Sequence, residues 1–129
     1  MVLLVKETAV SEHDLQKQCV AKLRAHNYIV SCNDIFSGIQ FIRDIKNKAI
    51  YKKHIQAMGG TVGFPDITLL KNGKTTFVEF KFDKGKLSSD QEVVHNRLRS
   101  MGYDVLVWRT LNECVEWILN DLKEHSKKQ

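Results

Sequence analysis

Residues 63–82 read GFPDITLLKNGKTTFVEFKF, two runs of β-forming residues on either side of Asn72-Gly73. Both turn residues tolerate positive φ, as a type I′ turn requires, which makes this pair the strongest short-range hairpin signal a sequence can carry. A two-residue turn pairs Lys71 with Lys74. Stepping outward, Leu70 then faces Thr75, Thr68 faces Phe77 and Asp66 faces Glu79. Side chains alternate along a strand, so Asp66, Glu79 and, two residues further, Lys81 project from the same face. Directly opposed side chains have Cβ atoms about 5 Å apart, and two ionised carboxylates at that distance repel by roughly 3 kcal/mol at an effective dielectric near 20. Against the marginal stability of a small domain this is a large cost, and positive charge is expected beside the pair. Lys81 supplies one charge and favours ionisation of both acids, which argues against a proton shared between them. The plainer alternative is a surface salt bridge between Glu79 and Lys81, with Asp66 merely following Pro65 in a turn.

Towards the N-terminus, Ser11 and Asp14 have capping-box spacing, and Leu15, Cys19, Val20 and Leu23 recur at helical intervals until Asn27, predicting a helix from Glu12 to His26. Glu12, on the flank of that apolar stripe, is a third acid that the helix can bring to the hairpin. Three acids and one lysine leave a deficit matching one divalent cation, and a few carboxylate oxygens suit Mg²⁺ or Mn²⁺ rather than structural zinc. YIVSC, residues 28–32, predicts a strand. From 39 to 57, Ile39, Ile42, Ile45, Ala49, Ile50 and Ala57 keep approximate helical phase among Arg43, Lys46, Lys48, Lys52 and Lys53. This predicts a basic amphipathic helix, interrupted near Asn47, whose charged face is either simply solvated or in contact with nucleic acid. GGTVG lacks the Lys-Ser/Thr ending of a phosphate-binding loop and reads as a flexible turn.

Towards the C-terminus, Ser88 and Gln91 form a second capping-box pattern, followed by an apolar stripe of Val93, Val94, Leu98 and Met101 that ends at Gly102. YDVLVW, residues 103–108, predicts a strand, and LNECVEWILNDLKEH a closing helix with Cys114, Val115, Ile118, Leu119 and Leu122 inward. The implied architecture is α/β, a mixed central sheet of antiparallel hairpin plus parallel right-handed crossover, flanked by helices. The five histidines, His95 among them, show no metal-ligand spacing and read as surface or helix-end residues. Trp108 and Trp117 read as core anchors; Phe36 and Phe64 read first as packing residues, with stacking along a substrate groove as the alternative.

A chain of 129 residues, 43% hydrophobic and 27% charged, supports one domain with one core, spanning 1–129 with its core at about 11–124. The net charge of +5 attracts polyanions, nucleic acid among them. Cys19, Cys32 and Cys114 are odd in number, widely spaced and without a CxxC pair, which predicts reduced thiols. The apolar opening is too short for a signal sequence and no stretch has membrane-spanning length, so a soluble cytoplasmic protein without a membrane partner is expected.

GFPD, FVEFKF and GKLSSDQ together resemble the restriction-endonuclease-like PD-(D/E)xK nucleases, most closely their VRR-NUC branch. Pro65-Asp66 matches the PD element, Glu79-Phe80-Lys81 matches ExK, Gln91 matches the glutamine opening the next helix, and Glu12 matches the family's N-terminal acid. The resemblance implies a restriction-endonuclease-like core and a Mg²⁺- or Mn²⁺-dependent DNA endonuclease, with no organic cofactor. The metal would be held by Glu12, Asp66, Glu79 and the carbonyl of Phe80. Lys81 and Gln91 would join the three acids in catalysis, though Gln91 also reads as a plain helix cap. It further implies branched DNA, such as four-way junctions, cut by a homodimer in a phage or prokaryotic host. Arg43, Lys46, Lys52, Lys53, Lys84 and Lys86 are candidates to neutralise flanking phosphates. Related families carry an aromatic four positions after the glutamine, where His95 stands here. Two other readings are a nucleic-acid-binding module that keeps the fold without cleaving, and an adaptor whose basic face binds an acidic protein.

Overall fold

The computed structural model describes residues 6–127. Asn72 and Gly73 take φ values of 52° and 76° and turn β2 (Ile67–Lys71) back onto β3 (Lys74–Phe80). The register is the expected one, Lys71 opposite Lys74 and Ile67 opposite Val78. Strand β1 (Ile29–Cys32) pairs antiparallel with β2, and β4 (Asp104–Trp108) pairs parallel with β3. The four-stranded sheet is ordered β1-β2-β3-β4.

Helices cover both faces. Leu15, Cys19 and Leu23 of α1 (Glu12–Ala25) and Leu111, Cys114 and Ile118 of α4 (Leu111–Lys127) pack on Ile67, Leu69, Val78 and Phe80. Trp108 and Trp117 stack at 5.7 Å between centroids in the same layer, as core anchors. Cys19 and Cys114 are free thiols buried there. On the other face, Leu98 of α3 (Ser89–Ser100) packs with Phe77 and Val105, flanked by Phe64 and Val94. Strand β3 is therefore central and covered on both faces, and every residue from Thr76 to Phe80 is buried.

Local signals explain the helix ends. The Ser11 hydroxyl accepts from the Asp14 N–H at 3.1 Å, while the Asp14 carboxylate accepts from Val10 rather than from Ser11, so only half of the capping box forms. At α3 the box is complete: Ser88 Oγ accepts from the Gln91 N–H and Gln91 Oε1 from the Ser88 N–H.

The segment 39–57 departs from expectation. A short 3-10 helix, Ser37–Phe41, ends in extended backbone at Ile42, and the Asp44 carboxylate caps a new helix α2 (Ile45–Ala57) by accepting from the Lys46 N–H at 2.8 Å. The interruption thus falls at 42–44, not at Asn47, because an Asp side chain in position to cap outcompetes continuation of the helix. The break also resets the helical phase, so the apolar residues do not line one inward stripe. Helix α2 packs on the 3-10 turn rather than on the sheet, and Ile45 and Ile50 are exposed. In α3 the stripe is likewise rotated: Val93 and Met101 are exposed and His95 is buried instead.

Gly63 fixes how the loop before β2 meets α3. Its φ is +88°, and a Cβ placed on it would lie 2.5 Å from the backbone carbonyl of Asp90. Gly63→Ala is expected to destabilise the protein by about 3 kcal/mol, combining left-handed strain with a backbone clash. Gly73→Ala, with φ +76° and open space around it, should cost only the strain, about 1 kcal/mol. Urea unfolding of the two variants checks the difference.

Candidate active site

Three elements deliver three acids to one end of the sheet. Glu12 opens α1, Asp66 immediately precedes β2, and Glu79 is the penultimate residue of β3. Carboxylate oxygens of all three lie within 4.8 Å of one another. The loop that carries Asp66 is pinned from β1's side, where the Asn33 N–H donates to the Asp66 carbonyl at 2.8 Å and Asn33 Nδ2 donates to the Pro65 carbonyl at 3.1 Å. The ladder ends one step before Asp66, and its side chain takes over the pairing: Oδ2 accepts from the Phe80 N–H at 2.7 Å. This bond is the local reason that Asp66 points across the hairpin at the Glu79 strand.

Glu79 shares the α3 face with Phe77 and is 1% exposed. A salt bridge on a solvated surface is therefore not what the hairpin builds. Burial, then the neighbouring Asp66 carboxylate, push the Glu79 carboxyl up to about 9; Lys81 opposes this and Glu12 adds to it. The expectation that Lys81 keeps both acids ionised is corrected here. Desolvation on a strand buried on both faces outweighs one neighbouring ammonium, so at neutral pH the metal-free pair retains a proton.

His95 is the residue that sequence reasoning missed. It is fully buried, not at the surface, and its Nε2 lies 3.2 Å from Glu79 Oε1. Burial and the charge of Arg99 lower its basicity, leaving a neutral imidazole. Among the described residues, Glu79 Oε2 and His95 Nδ1 are buried without hydrogen-bond partners. One signal was present: His95 stands one turn after Gln91 and three residues before Leu98, in phase with the inward face of α3.

The remaining candidates are placed as follows. Lys81 follows β3, half-buried, with its N–H donating to the Trp108 carbonyl at 3.1 Å; its charge acts on both Glu79 and His95. Gln91 completes the α3 capping box through Oε1 and also lines a cavity of about 420 Å³ beside Asp66. Lys52 reaches the same cavity. Arg43, Lys46 and Lys53 are exposed around α2, and Lys84 and Lys86 are exposed in the loop after β3, which Arg109 braces by donating to the carbonyls of Asp83 and Gly85.

An all-oxygen set with an unpartnered buried carboxylate oxygen fits a hard divalent cation, whose charge would replace the proton that burial and repulsion otherwise hold on Glu79.

A mixed sheet with the hairpin, the parallel crossover and the acids at one end defines an α/β protein of the restriction-endonuclease-like fold. Residues 10–111 match the VRR-NUC domain family, and the chain belongs to that family. A solved VRR-NUC domain structure shares the fold with a TM-score of 0.59 at 22% identity, covering 85% of this chain and 96% of that one. No curated protein matches. VRR-NUC is a nuclease family, so hydrolytic cleavage of nucleic acid is the class of activity that membership brings.

Proposed function

We propose that the protein is a Mg²⁺- or Mn²⁺-dependent DNA endonuclease, selective for branched DNA such as four-way junctions and active as a homodimer. The reading is carried by one observation, the convergence of Glu12, Asp66 and Glu79 within 4.8 Å beside Lys81. These three carboxylates, with the Phe80 backbone carbonyl, would hold the cation. The chemistry supplied by a bound cation is polarisation of the scissile phosphate and acidification of the attacking water. Lys81 orients that water and stabilises negative charge building on the phosphate. Gln91 uses Oε1 in the cap, which leaves its Nε2 to donate to a phosphate oxygen. His95 holds Glu79 in place from behind, through the bond to Oε1.

Arg43, Lys46, Lys52, Lys53, Lys84 and Lys86, all exposed, neutralise flanking phosphates, contacts that set affinity and its salt dependence without choosing a sequence. Two cuts placed symmetrically across a junction need two active sites, which a homodimer supplies.

The test is cleavage of a labelled four-way junction and its matched linear duplex in Mg²⁺, Mn²⁺ or EDTA. Metal-dependent cutting with preference for the junction is the expected result. Binding to either DNA without cleavage in any metal would replace this reading with a binding module.

A further inference from the structure

The cavity beside Asp66 is not accounted for by the carboxylate cluster. Its volume is about 420 Å³, and its walls combine Phe36, Ile39, Lys52, Phe64, Asp66 and Gln91. We infer that this cavity receives one nucleotide of the cleaved strand, unstacked from its neighbours, with the base against Phe36 and Phe64 and the adjoining phosphate against Lys52. The inference rests on the nuclease reading above and gives it a physical basis for selecting substrate structure.

Three features carry it. The volume falls in the range of small-ligand pockets and accommodates a single nucleotide. The lining has mixed character: two phenyl rings and an isoleucine for the base, an exposed lysine for the phosphate, and a polar rim that includes the acids Asp34 and Asp66. Phe64 is backed by Phe77, ring centroids 5.3 Å apart and edge to face, so its position is fixed before any ligand arrives. Finally, Asp66 is both a wall of the cavity and a member of the acid cluster. A strand whose phosphate lies at the cluster therefore passes the mouth of the cavity at the neighbouring nucleotide.

A base within continuous duplex cannot enter without leaving its stack, at a cost that is least where the base is already unpaired. The cavity thus favours strands at branch points, flaps and frayed ends over intact duplex.

The experiment compares two branched DNA substrates identical except at one unpaired nucleotide at the branch point, one carrying a base and one abasic. Wild type and Phe36→Ala are measured with both, as KM in Mn²⁺ and as affinity by fluorescence anisotropy in EDTA. Wild type should prefer the base-bearing strand roughly 10-fold, the size expected of one stacking contact. Phe36→Ala should lose that preference while binding the abasic strand as wild type does. Phe64→Leu, checked for unchanged melting, should lose it too. Equal binding of the two strands by wild type, or an equal loss on both in Phe36→Ala, overturns the inference even if the protein cuts DNA well. Absence of cleavage in every metal counts against the nuclease reading alone, since the anisotropy comparison still shows whether the base is gripped.

Discussion

Asp66→Asn is expected to lower kcat for DNA cleavage by about 10³-fold or more while leaving thermal stability close to that of the unaltered protein. Asn keeps a side-chain oxygen where Asp66 Oδ2 now accepts from the Phe80 N–H at 2.7 Å, so the bond that closes the hairpin's open end survives. What it removes is one negative charge from a cluster of three. Asp66→Ala should lose activity equally and also stability, by about 1–3 kcal/mol, because the Phe80 N–H is left without its acceptor in a part-buried place. Lys81→Ala separates charge from scaffolding in another way. The Lys81 N–H bond to the Trp108 carbonyl belongs to the backbone and is unaffected, so a comparable fall in kcat with intact folding would assign the effect to the ammonium. Single-turnover cleavage in saturating Mn²⁺, beside thermal melts of each variant, makes the comparison. Near-native rates in Asp66→Asn would remove the cluster from the chemistry.

The parts of this site that sequence exposes, and the parts it hides, divide along physical lines. The meeting of Asp66 with Glu79 follows from two local rules, a two-residue turn and a side-chain period of two, and neither depends on the rest of the fold. Glu12 is legible because a capped amphipathic helix fixes which residue opens it. The burial of Glu79 is of another kind. It requires β3 to be central, with β2 on one side, β4 on the other and helices on both faces, and strand order is not encoded in any short window. His95 is hidden for the same reason: helical phase places it on the same side of α3 as Leu98, but only the assembled sheet says that it meets a carboxylate. The helix over 39–57 fails for the opposite reason, since its long-range periodicity is overridden by a single local cap at Asp44. Ile45 and Ile50, on the apolar side of the expected amphipathic helix, are exposed as a result.

Because Glu79 is buried beside Asp66, its removal should affect stability and activity in opposite directions. In the metal-free protein the carboxyl sits at about 9 rather than at its ordinary 4.5. Between those values the unfolded chain releases a proton that the folded chain keeps. Glu79's contribution to stability is therefore fully present below about 4.5 and is lost as pH rises through about 9, with a slope of at most about 1.4 kcal/mol per pH unit. Glu79→Gln has no proton to lose. In EDTA at pH 8 it should melt above wild type, with the gap narrowing as pH falls towards 5. Addition of Mn²⁺ should shrink that gap. The cation replaces the proton in wild type and stabilises it by about 3 kcal/mol at a concentration a hundred times Kd, a gain that the variant should lack. Cleavage by Glu79→Gln should fall along with that lost response. Melting curves from pH 5 to 8, with EDTA and with Mn²⁺, read both effects without reference to DNA. A gap between Glu79→Gln and wild type that does not widen from pH 5 to 8 would mean that Glu79 is ionised in the folded chain, and that Lys81, not burial, governs its charge.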